Sequence, residues 1–128
     1  MNKSTAIKLA LVFIFSSGNH AYANQDLENF VAKAKKNVTE DLLDPDAAKF
    51  RNLEIRETTG ANGKKFIALC GEINTKNAMG AYTGFKKFNA DNESAVIVGS
   101  NTSLAAIHSI FYSKSCIENA TLLKIIDK

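Results

Sequence analysis

Few residues of this chain combine the types and spacing that catalysis requires. The sequence holds two histidines, His20 and His108, and two cysteines, Cys70 and Cys116. His20 falls in a segment that we expect to be removed, and His108 stands alone on an apolar helical face, as a packed residue does. One histidine beside a cysteine pair argues against a zinc site and against a cysteine nucleophile. We expect no catalytic residue, no metal and no cofactor.

A pair of carboxylates could still act, as in glycoside hydrolysis. Glu72 is the candidate, because it lies on the strand that we expect at the centre of the sheet. Burial would raise its pKa unless a cation pairs with it. Arg51, Lys76 or Lys86 could be that partner. We favour an ion pair over a catalytic acid.

The polar stretch at residues 74–82 is the candidate recognition surface. Lys76 would supply charge, Asn74 and Asn77 hydrogen bonds, and Tyr82 an aromatic contact. A structural role is the alternative, because asparagine suits turns. Glycine inside a strand, as at Gly84, marks a bulge or a close backbone approach.

The cysteines predict one structural disulfide, Cys70–Cys116. An exported chain meets an oxidising compartment, where an even pair of cysteines is typically oxidised. A redox-active pair is the alternative, but it needs a spacing like C-x-x-C, and these cysteines are 46 positions apart.

The first 23 residues have the order of a secretory signal peptide. A polar segment with Lys3 and Lys8 precedes an apolar run at residues 9–15, and the segment ends in Ala21-Tyr22-Ala23. The apolar run is far shorter than the ~20 residues of a membrane span. We expect cleavage after Ala23 and a periplasmic or secreted product, residues 24–128, with no membrane span.

Composition and charge fit one globular domain. The 128 residues are 45% hydrophobic and 23% charged, which excludes disordered and disulfide-dense classes. The net charge of +3 falls to 14 − 13 = +1 without Lys3 and Lys8. Net charge therefore gives no argument for a nucleic-acid partner, and we predict none.

A helix should open the mature chain and end near Leu43, before Asp44-Pro45. Asp44 is then expected to cap a short second turn, and Phe50 to be buried. The apolar positions of the helix recur at a spacing of three to four: Leu27, Phe30, Val31, Ala34, Val38 and Leu42.

Four strands should follow, because the periodicity changes to two. They are expected near residues 52–56, 65–73, 81–88 and 94–98, separated by polar turns that include Asn62-Gly63. The residues after 103 fit helical spacing, although this segment is ambiguous. The predicted fold class is α+β: an amphipathic helix, a four-stranded antiparallel meander and a helical C-terminal segment tied to the sheet by Cys70–Cys116.

Two strings resemble those of a group of small exported bacterial proteins. One is DPDAAKFRN at residues 44–52, matching D-P-x-x-x-x-F-R-N. The other is CGEINTKNAMGAYTGF at residues 70–85, matching C-G-x-(V/I)-N-x-K-N-x-x-G-x-Y-x-G-F. The resemblance spans less than half of the mature chain. It implies a bacterial envelope or secreted setting and an α+β domain, and it carries over no catalytic residue.

We therefore predict a non-enzymatic exported binding or inhibitor-like module. Its partner would be an envelope or extracellular protein or glycan, recognised through residues 74–82. The alternatives are a structural subunit of an envelope or mobile-element-encoded assembly and, ranked last, a small carboxylate-dependent periplasmic hydrolase.

Overall fold

The computed structural model describes residues 22–126. The expected signal peptide lies outside these residues, except for Tyr22 and Ala23. The elements are α1 (Asn24–Thr39), a 3-10 turn (Pro45–Ala47), β1 (Lys49–Thr59), β2 (Lys65–Lys76), β3 (Tyr82–Ala90), β4 (Ala95–Ile97), a second 3-10 turn (Thr102–Leu104), α2 (Ala105–Cys116) and β5 (Thr121–Ile125). The α+β class and the disulfide predicted from the sequence are confirmed.

The five strands form one antiparallel sheet in the order β4-β3-β2-β1-β5. Strands β1 to β4 lie side by side in chain order, but the predicted four-stranded sheet is not matched exactly, because a fifth strand extends it and the strand bounds differ from those expected. At the β1–β2 turn, Gly63 adopts a φ of 76°, a left-handed conformation that glycine reaches without steric cost.

One face of the sheet holds the main core, covered by α1. The expected apolar positions of the helix from Leu27 to Val38 are buried against the sheet, whereas Leu42 is half-buried. Gly71 allows a close approach here, because a Cβ on it would lie 2.7 Å from Leu53 Cδ2. The buried residues contributed by the strands are Leu53, Ile55, Leu69, Ile73, Phe88 and Ala90.

The other face of the sheet carries α2 over a much smaller core. Its buried members are Ala68, Cys70 and Cys116, with Tyr112 packed against them. Cys70 and Cys116 form the disulfide, with their Cα atoms 6.0 Å apart. Of α2, only Cys116 is buried, so the disulfide holds a helix that buries little apolar surface.

Two predictions about helix ends are wrong. The first helix ends at Thr39, not near Leu43, and a turn follows in which Leu42 N donates to Thr39 O at 3.1 Å. The Thr39 hydroxyl donates to the carbonyls of Lys35 and Lys36, a bonding that weakens a helix locally. Asp44 precedes the 3-10 turn but makes no capping hydrogen bond through its side chain. Phe50, expected to be buried, is half-buried.

The C-terminal segment differs most from the prediction. Residues 121–125 form a fifth strand on β1, not a helix. The outer edge of β1 has backbone donors and acceptors that need partners. β5 supplies them, and Ile126 N donates to Leu53 O at 2.8 Å.

Among residues 22–126, no helix has both the length and the apolar character that a bilayer span requires.

Candidate functional site

Two bulges decide which side chains share the α2 side of the sheet. The β1–β2 register shifts between Arg51 and Glu54, where Asn52 has a φ of 53°. Arg51 and Glu54 therefore project to the same side although they are three residues apart. Bulges commonly turn a side chain in this way beside functional sites.

The second bulge lies in β3 at Gly84, whose φ is 98°. Tyr82 pairs with Lys76 and Phe85 pairs with Asn74. Because Asn74 and Lys76 are two apart on β2, their partners Tyr82 and Phe85 also share a face. Of the two roles that the sequence offered for Gly84, a bulge or a close backbone approach, the structure has the bulge.

Together these bulges build a surface that we call the cationic face. It lies on the α2 side of the sheet, where β2 runs on from the disulfide toward its C-terminal end. Its residues come from β1, β2 and β3: Lys49, Arg51, Glu72, Lys76, Tyr82, Phe85 and Lys87.

Aromatic rings hold the cations of this face in place. The Nζ atoms of Lys49 and Lys76 lie 4.3 and 5.3 Å from the centroid of the Tyr82 ring. The Arg51 guanidinium carbon lies 3.8 Å from the centroid of the Phe85 ring. Such contacts attract a cation to the ring electrons, so the three charges have preferred positions before any ligand arrives.

Glu72 forms the ion pair that the sequence favoured. Arg51 Nε and Nη2 donate to its two carboxylate oxygens at 3.0 and 3.3 Å, and Asn52 Nδ2 donates at 2.8 Å. These hydrogen bonds, from Arg51 first and then from Asn52, lower the pKa of Glu72 below its ordinary value. A general acid needs a raised pKa, so this geometry does not suit one.

The four residues predicted for recognition have different roles. Asn74 Oδ1 accepts from Gly84 N at 2.9 Å and so supports the bulge. Asn77 Oδ1 accepts from Met79 N and Ala81 N at 3.0 and 3.1 Å and so shapes the turn. Both asparagines act on the backbone, as asparagine does in turns. Lys76 and Tyr82, in contrast, lie together on the cationic face.

Tyr82 also joins the hairpin to the 3-10 turn. Its hydroxyl donates to Ala47 O at 2.9 Å. The two strings noted in the sequence thus meet in space. Residues 44–52 contribute Lys49 and Arg51, and residues 70–85 contribute Lys76, Tyr82 and Phe85.

The face concentrates positive charge. It holds four cations and one carboxylate, a local excess of three, although residues 24–128 carry only +1. Lys87 sits at the border with α2, its Nζ 5.5 Å from the centroid of the Tyr112 ring. Sequence reasoning missed Lys49, Phe85 and Lys87 as site residues and weighed Arg51 only as a partner for Glu72.

The residues considered first for chemistry do not assemble into a centre. Within residues 22–126, no group of three or more His, Cys, Asp or Glu side chains is placed to hold a metal ion. His108 is half-buried on α2, and its buried Nδ1 atom has no hydrogen-bond partner among the described residues.

Comparison of the chain with protein-family models, with curated proteins and with solved structures found no match. The chemistry of the cationic face is therefore the guide to function.

Proposed function

We propose that the protein is an exported, non-enzymatic binding module that recognises an anionic ligand through the cationic face. The ligand would be an envelope or extracellular protein or glycan that carries phosphate, sulfate or carboxylate groups. One observation carries the proposal: Lys49, Arg51 and Lys76 lie over aromatic rings on a surface built by both sequence strings.

The aromatic rings indicate what kind of ligand fits. Lysines flank the Tyr82 ring, and the Arg51 guanidinium stacks on Phe85. Ligands that stack on a protein, such as nucleic-acid bases, need a free ring surface. Here the rings position cations, which suits charged oxygen groups better than bases.

Export supports the choice of an envelope or extracellular ligand. The N-terminal 23 residues have the pattern of a signal peptide, and the formed disulfide suits an oxidising compartment. The resemblance to small exported bacterial proteins points to the same setting. The lowered pKa of Glu72 weighs against the hydrolase alternative.

The test removes charge without removing structural hydrogen bonds. The double variant Lys49→Gln with Lys76→Gln keeps both long side chains, whereas changes at Asn77 or Tyr82 would also disturb the turn or the bond to Ala47. The matched control is Lys33→Gln with Lys36→Gln, two exposed lysines of α1 on the other side of the sheet. Each double variant removes two positive charges.

Binding is measured by salt elution from immobilised heparin and from immobilised polyglutamate. We expect the wild type and the α1 control to elute together and the Lys49/Lys76 variant to elute at lower salt from at least one matrix. Thermal midpoints should stay close, because surface charges contribute little to stability. Equal elution of the two double variants would mean that only net charge matters and would refute the proposal.

A structural subunit of an envelope assembly remains the second candidate function. The observation that favours it is the exposed apolar surface of α2, where Ile107, Ile110 and Phe111 are each about half exposed. Surfaces of this kind often mark interaction sites. This function predicts concentration-dependent self-association of the purified protein in sedimentation velocity, and that outcome would exclude the other role that we propose below for the same surface.

A further inference from the structure

The helix α2 is apolar on the side that faces away from the sheet. Its inward positions reach the small core around the disulfide, yet large side chains also line its outward side at a spacing of three and four. We call this outward line the α2 ridge. It includes Leu104, which precedes the helix, and Ile117, which follows it. Its members are between 42% and 60% exposed: Leu104, Ile107, Ile110, Phe111 and Ile117.

Positive charge predominates along the ridge, although the exposed Glu118 follows its last member and accepts a hydrogen bond from Ser113 Oγ at 2.8 Å. Residues 104–117 contain no Asp or Glu, and Lys114 is their single charged side chain. Lys114 is exposed. The cationic face lies on the same side of the sheet, and Lys87 approaches α2 at Tyr112. An apolar helix surface therefore stands beside a local excess of positive charge.

We propose that the α2 ridge docks on the surface of an anionic phospholipid bilayer. The helix lies parallel to the membrane, its apolar side chains enter the headgroup region, and the neighbouring cations face the lipid phosphates. Helices that lie in the interface combine these two attractions. The inference goes beyond the proposed function, because it assigns a second surface, and it uses the cationic face only as a source of charge.

Area argues against a second copy of the chain as the occupant. Four aliphatic side chains and one aromatic side chain, each about half exposed, form a patch of a few hundred Å², on the order of the largest apolar patch of a typical monomer. A stable protein interface typically buries about 800 Å² on each partner. The ridge is thus smaller than a dimer needs, whereas a bilayer sets no such minimum.

Charge argues in the same direction. A two-fold contact through the ridge would bring together the cationic faces and Lys114 of both copies, and the Glu118 carboxylate of each copy offsets a part of that charge. Like charges placed across an interface weaken it. An anionic membrane attracts the same positive charges, and the attraction acts over the Debye length of about 8–10 Å.

The experiment uses tryptophan as a depth probe, because the chain contains none. Phe111→Trp places the probe on the ridge. Leu43→Trp is the control, at a position 75% exposed between α1 and the first 3-10 turn. The protein is the processed, oxidised chain, checked by mass, since a retained leader would bind membranes by itself.

Vesicles of phosphatidylglycerol with phosphatidylcholine, or of phosphatidylcholine alone, are added to each variant. We expect the Phe111→Trp emission to shift to shorter wavelength with the anionic vesicles and to be quenched by brominated acyl chains. The Leu43→Trp emission should not change. Cosedimentation should weaken about tenfold for Ile107→Asn with Ile110→Asn, with circular dichroism as the check of folding.

The results distinguish a failure of membrane docking through the ridge from a failure of ligand binding through the cationic face. Vesicle binding that is lost in the Lys49/Lys76 variant, with an unshifted Phe111→Trp probe, would leave the cationic face as a binding site and overturn docking through the ridge. A probe that is already blue-shifted without lipid, in proportion to protein concentration, would assign the ridge to a second copy and overturn the inference. Absence of vesicle binding would overturn it as well. Loss of heparin and polyglutamate binding alone would leave docking standing.

Discussion

At the scale of single residues, Asn52 and Gly84 shape the site although neither carries charge. Each adopts a left-handed φ at a register shift, and each thereby sets the side of the sheet on which its neighbours project. Sequence periodicity cannot place such a shift, because one extra residue reverses the alternation after it. For this reason Arg51 was considered from the sequence only as a partner for Glu72, and Phe85 was not placed beside Tyr82.

Gly71 gives the sharpest prediction of a steric kind. A Cβ there would meet Leu53 Cδ2 at 2.7 Å and the carbonyl oxygens of Arg51 and Asn52 at 3.1 and 3.2 Å. We expect Gly71→Ala to lower the free energy of unfolding by about 1–3 kcal/mol, since backbone and a packed side chain must move. Urea unfolding measures it. Gly60→Ala is the control, because its closest contact is the half-exposed ring of Phe66, which can turn away.

Glu72 gives a prediction with a pH dependence. Its pKa is lowered in the folded state by Arg51 and Asn52, so its contribution to stability is present above the unfolded pKa of about 4.3 and is lost as the pH falls through the folded value. At pH 7, Glu72→Gln should cost up to about 1 kcal/mol, the usual size for an exposed pair. The difference from wild type should shrink toward pH 3.

Urea unfolding of both proteins at pH 7 and pH 3 tests this prediction. Glu93→Gln, in the exposed turn before β4, corrects for the loss of one negative charge. A cost at Glu72 that stays the same at both pH values would show that the ion pair does not contribute in the folded state.

At the scale of elements, the sequence predicted what local patterns determine. The amphipathic spacing gave α1, and the alternation with the Asn62-Gly63 turn gave the β1–β2 hairpin. The prediction for the C-terminal segment was wrong because the periodicity of residues 122–126 suits a helix and a strand equally well. Pairing with the open edge of β1 makes the segment a strand. A local pattern cannot show this, because the paired residues lie some 70 positions apart along the chain.

The disulfide should matter more to α2 and β5 than to α1. By chain entropy, a loop of this size gives about 4 kcal/mol, while α2 buries only Cys116. In the variant Cys70→Ala with Cys116→Ala, we expect a loss of about 3–4 kcal/mol. Hydrogen exchange should rise first in α2 and β5. Equal loss of protection in α1 would show that the two sides of the sheet unfold as one unit.

At the scale of the whole molecule, the two sides of the sheet have different tasks. The α1 side holds nearly all of the apolar core. The α2 side holds the disulfide, the cationic face and the α2 ridge. The net charge of +1 does not reveal this division, because acidic residues elsewhere offset most of the local excess of three positive charges. Composition predicts the class of a protein, but not where on its surface the charge lies.

The proposed export gives a prediction about the chain as a whole. The cell should release a protein that begins at Asn24, the first residue of α1. Cleavage there removes Tyr22, which donates to Glu57 Oε2, and Ala23, whose carbonyl accepts from Leu27 N. A new charged amino group would then oppose the helix dipole, so the first turn should fray.

Mass spectrometry of the envelope fraction tests the start point, and hydrogen exchange of residues 24–28 tests the fraying. A mass that includes Met1 would contradict cleavage.

The position of β5 has a consequence for the time course of folding. The hairpins β1–β2 and β2–β3 join neighbouring segments, whereas β5 pairs Ile125 with Glu54 across some 70 positions of the chain. Contacts that close long loops form late. A chain that emerges from its N-terminus onward therefore presents β1 with a bare outer edge until residues 121–125 arrive. The length of that interval, more than the stability finally reached, determines how long the chain is open to proteases and to pairing with another unfinished molecule.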